Sequence, residues 1–164
     1  MAFATRADLL ARSNARRLGQ LAIPADREMV PDDALRAAIA GGSLVDFTQV
    51  DQQSLVLGLD AIDKALDDAN ALILSHGIDA AVQTTLLARL TSTIALYYLQ
   101  GAERMTDDVQ KAYENAVAVL KSHTRGDINL VPALPTDPVI VGDVIDIASN
   151  PVRYGVAGVI VSDW

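Results

Sequence analysis

Apolar side chains recur along this chain at the three- and four-residue steps of a helix over most of its length, and only near the end at strand spacing. Leu55, Leu59, Ile62, Leu66, Ala69 and Ile73 are separated by four, three, four, three and four residues. That is one stripe of a long amphipathic helix, with Ser54 as its cap and Gly77 as its stop. About 20 residues rising ~1.5 Å each make a rod of roughly 30 Å. A second long helix is expected from Asp79 to about Gln100. Leu86, Leu90, Ile94 and Tyr97 line one edge, and Leu87, Leu96 and Leu99 widen the apolar arc. So broad an arc implies packing on more than one side. A third runs from a Thr106 cap through the stripe Val109, Tyr113, Ala116 and Leu120 to a stop at Gly126. Asp107 and Asp108 suit its positive end, and Lys121, His123 and Arg125 its negative end.

Shorter elements precede these. Thr5 caps a first helix, with Asp8 three residues on and Leu9 and Leu10 facing inward, before a break near Ser13-Asn14. A second short stretch carries Leu18 and Leu21 and ends before Pro24. Residues 23–53 read as a long connection. It holds one short helix opened by Pro31-Asp32-Asp33, with Leu35 and Ile39 on one face, and closed by Gly41-Gly42. Ser43 to Gln53 is expected to be loop.

Beyond Asn129 the pattern changes. Pro132, Pro135 and Pro138 mark an extended linker. Val139-Ile140-Val141 and Val144-Ile145-Asp146-Ile147 then flank Gly142-Asp143 as two strands round a tight turn, with a third expected over Val156 to Val161. Such short strands cannot bury their own apolar faces, so the arm must pack on the helical body or pair with another subunit; the neighbour is preferred. The fold class is therefore mainly α: a bundle of three long helices plus short N-terminal ones, residues 1–130, followed by a β-forming arm, residues 131–164.

Composition narrows the function. The chain has 164 residues, no cysteine and a formal net charge of −8. Disulfides and thiolate sites are ruled out, and the acidic balance argues against a nucleic-acid binder. The longest strongly apolar window, Leu90 to Ala102, is too short to cross a bilayer. Arg6, Asp8 and Arg12 interrupt any signal-peptide core, so a soluble cytoplasmic protein is expected. Charge is unevenly placed: residues 1–22 balance at +3 and residues 23–104 at −7. A basic end beside an acidic body suits head-to-neighbour packing, and equally suits an ordinary solvated surface. The hydrophobic share of 51% is high enough to hint at subunit interfaces beyond the core.

Candidate chemistry is sparse. His76 and His123 both fall at helix C-termini, where a cation meets the negative end of the dipole, and neither has a metal-site partner at ligand spacing. Asp60, Asp63 and Asp67 share the face opposite the apolar stripe, with Asp68 beside them and Lys64 four residues after Asp60. A divalent-cation site, a solvated face and a contact with another chain's arginines all fit; the solvated face is the plainest. No phosphate loop, activated serine or stacking platform appears. No catalytic residue, cofactor or metal is expected, and the chain does not read as an enzyme.

Three pieces carry a family likeness: Phe3-Ala4-Thr5-Arg6-Ala7-Asp8-Leu9-Leu10-Ala11-Arg12, the helix Ala65 to Ile73, and a longer third piece. That third piece joins Ala95-Leu96-Tyr97-Tyr98-Leu99 to Thr106-Asp107-Asp108-Val109 and Tyr113-Glu114-Asn115-Ala116, closing on Arg125-Gly126-Asp127-Ile128-Asn129-Leu130. Their order over residues 3–130 resembles the Mu-like phage proteins assigned to head-tail connection and head completion. The 23–53 stretch is longer than that pattern, and Ser75-His76-Gly77-Ile78 stands where it has a Pro-rich turn. The resemblance implies a small helical adaptor in the virion neck, set in a ring, usually of twelve, beneath the portal. One side would bind the portal and the other the next neck or tail protein, and DNA would pass through without sequence-specific binding. An acidic channel wall would repel its phosphates. Neck stopper or tail-completion protein is the alternative within phage, and a cytoplasmic helical binding module the alternative outside it. Subunit contacts are expected at Arg6, Arg12, Arg16 and Arg17, and at Asp60, Asp63 and Asp67. In the arm they are expected at Val139, Ile140, Val141, Val144, Ile145, Ile147, Val159, Ile160, Val161 and Trp164.

Overall fold

Helix α1, Arg6–Arg12, begins where Thr5 and Asp8 close a reciprocal capping box: the Thr5 hydroxyl accepts from the Asp8 amide, and the Asp8 carboxylate accepts from the Thr5 amide at 2.8 Å. The computed structural model describes residues 2–101 and 104–132, within a packed unit that runs Met1–Pro132. Ser13 ends α1. Asn14 then caps α2, Ala15–Ala22, by accepting from the Arg17 amide at 2.7 Å. Leu9, Leu18 and Ala15 are buried; Leu10 and Leu21 are only partly so. α3, Asp32–Ile39, follows Pro31 and buries Ala34, Leu35 and Ala38.

The central rod is longer than the apolar pattern predicts. α4 runs Gln49–Ser75, starting five residues before the expected Ser54. Its cap is Thr48, whose hydroxyl accepts from the Asp51 amide at 3.1 Å. The end of the stretch read as loop, Gln49 to Gln53, is thus its first turns. Ser54 lies inside the helix, buried, with no hydrogen-bond partner for its hydroxyl. The stripe is otherwise as predicted: Leu55, Ile62, Leu66, Ala69 and Ile73 are buried, and Leu59 is partly buried. Each such leucine or isoleucine contributes about 1.5–3 kcal/mol on burial. Gly77, at φ +83°, lets the chain leave α4 in a left-handed turn that residues with a Cβ avoid.

α5, Thr85–Gln100, starts later than Asp79. Asp79 accepts from the Ala81 amide at 2.7 Å, a turn that holds residues 79–84 out of the helix, and Thr84 caps α5 by accepting from Leu87. The predicted edge is also rotated. Leu86 is exposed, and the buried face is Leu87, Leu90, Thr91, Ile94 and Ala95. Thr91 sits there without penalty because its hydroxyl donates to the Leu87 carbonyl at 2.8 Å. The broad arc is explained by four neighbours, since α5 packs against α1, α4 and α6 and, less extensively, α2. α6, Asp107–Thr124, follows Thr106, which occupies the cap position without a side-chain hydrogen bond. Ala116 and Leu120 are buried, and Tyr113 is partly buried against the core.

Six α-helices are present among the described residues. The β-forming arm expected over residues 131–164 lies, beyond Pro132, outside them.

A candidate subunit interface

Two features fix the basic N-terminal helices on the bundle. The Phe3 amide donates to Asn70 Oδ1 at 3.0 Å in a buried contact that joins residues 67 positions apart. Phe3 itself is buried. One turn along, Arg6 grips Asp63 with two hydrogen bonds, Nε to Oδ1 at 2.7 Å and Nη2 to Oδ2. The fork geometry of guanidinium on carboxylate fixes orientation as well as distance. The hydrogen bond from Arg6 lowers the Asp63 pKa, and the same bond raises that of Arg6. So the structure brings Arg6 and Asp63 together within one chain. Asp60 pairs with Lys64 at 2.7 Å, fully in solvent, and Asp67 is exposed.

Arg12 reaches Thr93 on α5 at 3.3 Å. Arg16 and Arg17 are exposed and line an open groove of about 650 Å³. Its other walls include Leu21, Pro24, Met29 and two more arginines, Arg27 and Arg104. Arg104 donates to the Gln20 carbonyl and so closes one end. Sequence reading misses Arg27 and Arg104, because only tertiary packing brings the turn after α2 and the segment beyond α5 beside Arg16 and Arg17. It also misses Phe3 and Asn70, which no spacing connects.

The helix ends are tied by the two histidines. His76 caps the C-terminus of α4, its Nδ1 3.0 Å from the Thr124 hydroxyl of α6. His123 lies in the last turn of α6, with Nδ1 3.3 Å from the Ile128 carbonyl. Where α5 meets α6, Tyr97 stacks on Tyr113 with centroids 3.9 Å apart, and Tyr98 meets both edge-on. Burial, with a smaller contribution from Tyr113, pushes the Tyr98 phenol up to about 12. Among the described residues, no three His, Cys, Asp or Glu side chains converge to hold a metal ion, and no helix is long and apolar enough to cross a membrane. The expected contacts at Val139, Ile140, Val141, Val144, Ile145, Ile147, Val159, Ile160, Val161 and Trp164 lie outside the described residues.

Residues 3–139 match the family model described as bacteriophage Mu, Gp36. The chain belongs to that family. The Mu Gp36 match takes in all six helices, the arginine groove and the Phe3–Asn70 contact, and continues past Pro132. It bears out the phage likeness drawn from the Phe3–Arg12, Ala65–Ile73 and Ala95–Leu130 pieces. No curated protein matches the chain.

Proposed function

We propose that this chain is the connector subunit of a phage neck, an adaptor assembled as a ring between the portal and the next neck or tail protein. The observation that carries this reading is a Mu Gp36 family member whose helical unit gathers four arginines round the α2 groove and leaves Asp60 and Asp67 exposed on the outer face of α4. Separated charge on a rigid body favours ordered contact with neighbours, because like faces repel and unlike faces attract. The role is mechanical and breaks no bond. A ring of chains each carrying a net charge of −8 would leave passing DNA unheld, since phosphates are repelled by an acidic wall.

Disrupting the gene and imaging the particles tests this. Filled heads without tails are the expected result, together with the protein at the head-tail junction of intact virions. Tailed particles of abnormal length would favour a tail-completion role. Absence of the chain from purified virions by mass spectrometry would refute the structural role and leave the helical binding module.

A further inference from the structure

The outer face of α4 repeats the helical spacing of its buried stripe. Val56, Asp60, Asp63, Asp67 and Leu74 are four, three, four and seven residues apart, so they fall on one side of the rod. Val56 is 65% exposed and Leu74 45%, large apolar side chains at both ends of a row of carboxylates. Asp63 is held by Arg6, and Lys64 only meets Asp60 in open solvent, where such a pair is worth little. Asp60 can exchange Lys64 for a cation from elsewhere, and Asp67 has no cation partner among the described residues.

The arginine groove has the complementary character. Arg16, Arg17, Arg27 and Arg104 surround Leu21, Pro24 and Met29, the last 47% exposed, and among the described residues no carboxylate lines the groove. The two faces cannot meet within one chain. α2 packs on the Gly58 side of α4, where Ile23 lies against Gly58, and Val56, Asp60 and Asp67 look out from the opposite side. A surface on one side that complements a surface on the other builds a head-to-tail contact, which closes into a ring when the rotation permits.

We infer that the α2 groove of one copy receives the outer face of α4 from the next copy, with Arg16 and Arg17 set against Asp60 and Asp67. The inference rests on the ring reading above and supplies its contact.

The absence of native cysteine makes the test direct. Full-length Met29→Cys and Val56→Cys proteins are mixed and treated with a short bismaleimide. Heterodimers are expected well above the yield from Met29→Cys mixed with Gln110→Cys, an exposed position on α6. A chain carrying both Met29→Cys and Val56→Cys should give a ladder of oligomers. Adding Arg16→Gln and Arg17→Gln should lower the yield about tenfold, the scale of two partly exposed ion pairs, and so should high salt. A yield equal to the Gln110→Cys control overturns the inference. So does protection of Met29→Cys by duplex DNA without any link to Val56→Cys, which would assign the groove to nucleic acid. A ring seen at the virion neck without this cross-link removes the inference and leaves the connector reading. A ladder from a chain absent from virions does the reverse.

Discussion

Asn70→Ala is the sharpest probe of how the N-terminal helices are held. Asn70 is 9% exposed, and its Oδ1 is the acceptor for the buried Phe3 amide. Truncation strands that donor away from water, at a cost of about 1–3 kcal/mol. The change also improves helix propensity by about 0.5 kcal/mol, which offsets part of the loss. The net expectation is a destabilisation of about 0.5–2.5 kcal/mol, or a Tm lower by roughly 2–9 °C for a unit of this size. Urea unfolding followed by helical circular dichroism should show a lower midpoint with an unchanged slope. Because the contact anchors one end of the chain, cleavage after Arg6 and Arg12 by trypsin under native conditions should accelerate about tenfold or more. Asn115→Ala, at an exposed asparagine on α6, serves as the control. If Asn70→Ala behaves like Asn115→Ala in both assays, the contact holds nothing and the account of the N-terminal anchor is wrong.

Gly58 should tolerate alanine and reject valine. A Cβ there would sit 3.1 Å from Ile23 Cγ1, so Gly58→Ala trades about 1 kcal/mol of helix propensity against a similar crowding cost, while Gly58→Val should cost about 2–3 kcal/mol by urea midpoint. Asp63 titrates below the ordinary carboxylate value because Arg6 donates to it. Its share of stability is therefore present above that ordinary value and lost as pH falls through the lowered one, and Asp63→Asn should flatten the acid limb of a stability–pH curve. Tyr98, raised from 10.0 to about 12, contributes stability that is complete below 10 and lost as pH rises through 12. Tyr98→Phe should remove the tyrosinate absorbance that develops near pH 12.

Helix punctuation was legible where one residue carries the signal. Thr5 with Asp8, the break near Ser13-Asn14, Gly77 and Gly126 are read correctly because each acts on its own few neighbours. The same chemistry was missed at Thr48 and Asp51, where Gln49, Gln52 and Gln53 dilute the apolar stripe that guides the eye. At α5 the expected start at Asp79 fails, because the Asp79 side chain accepts from the Ala81 amide and makes a turn instead. Leu86 and Leu87 exchange roles because adjacent leucines leave the register open until a neighbouring helix chooses one. The interface residues were legible as types and not as pairs. Arg6 and Asp63 were found as opposite charges, but spacing cannot tell a partner in the same chain from one in the next. The four-arginine groove needs two residues from α2, one from the following turn and one from beyond α5, which only tertiary packing assembles.

The three tyrosines at the α5–α6 junction also give the molecule built-in optics. The sole tryptophan, Trp164, lies at the far end of the sequence. Near-ultraviolet dichroism from Tyr97, Tyr98 and Tyr113 reports on how tightly two rods are clasped, and indole emission reports on the last residue alone. Two colours from one unlabelled polypeptide can therefore be followed in the same cuvette as particles assemble.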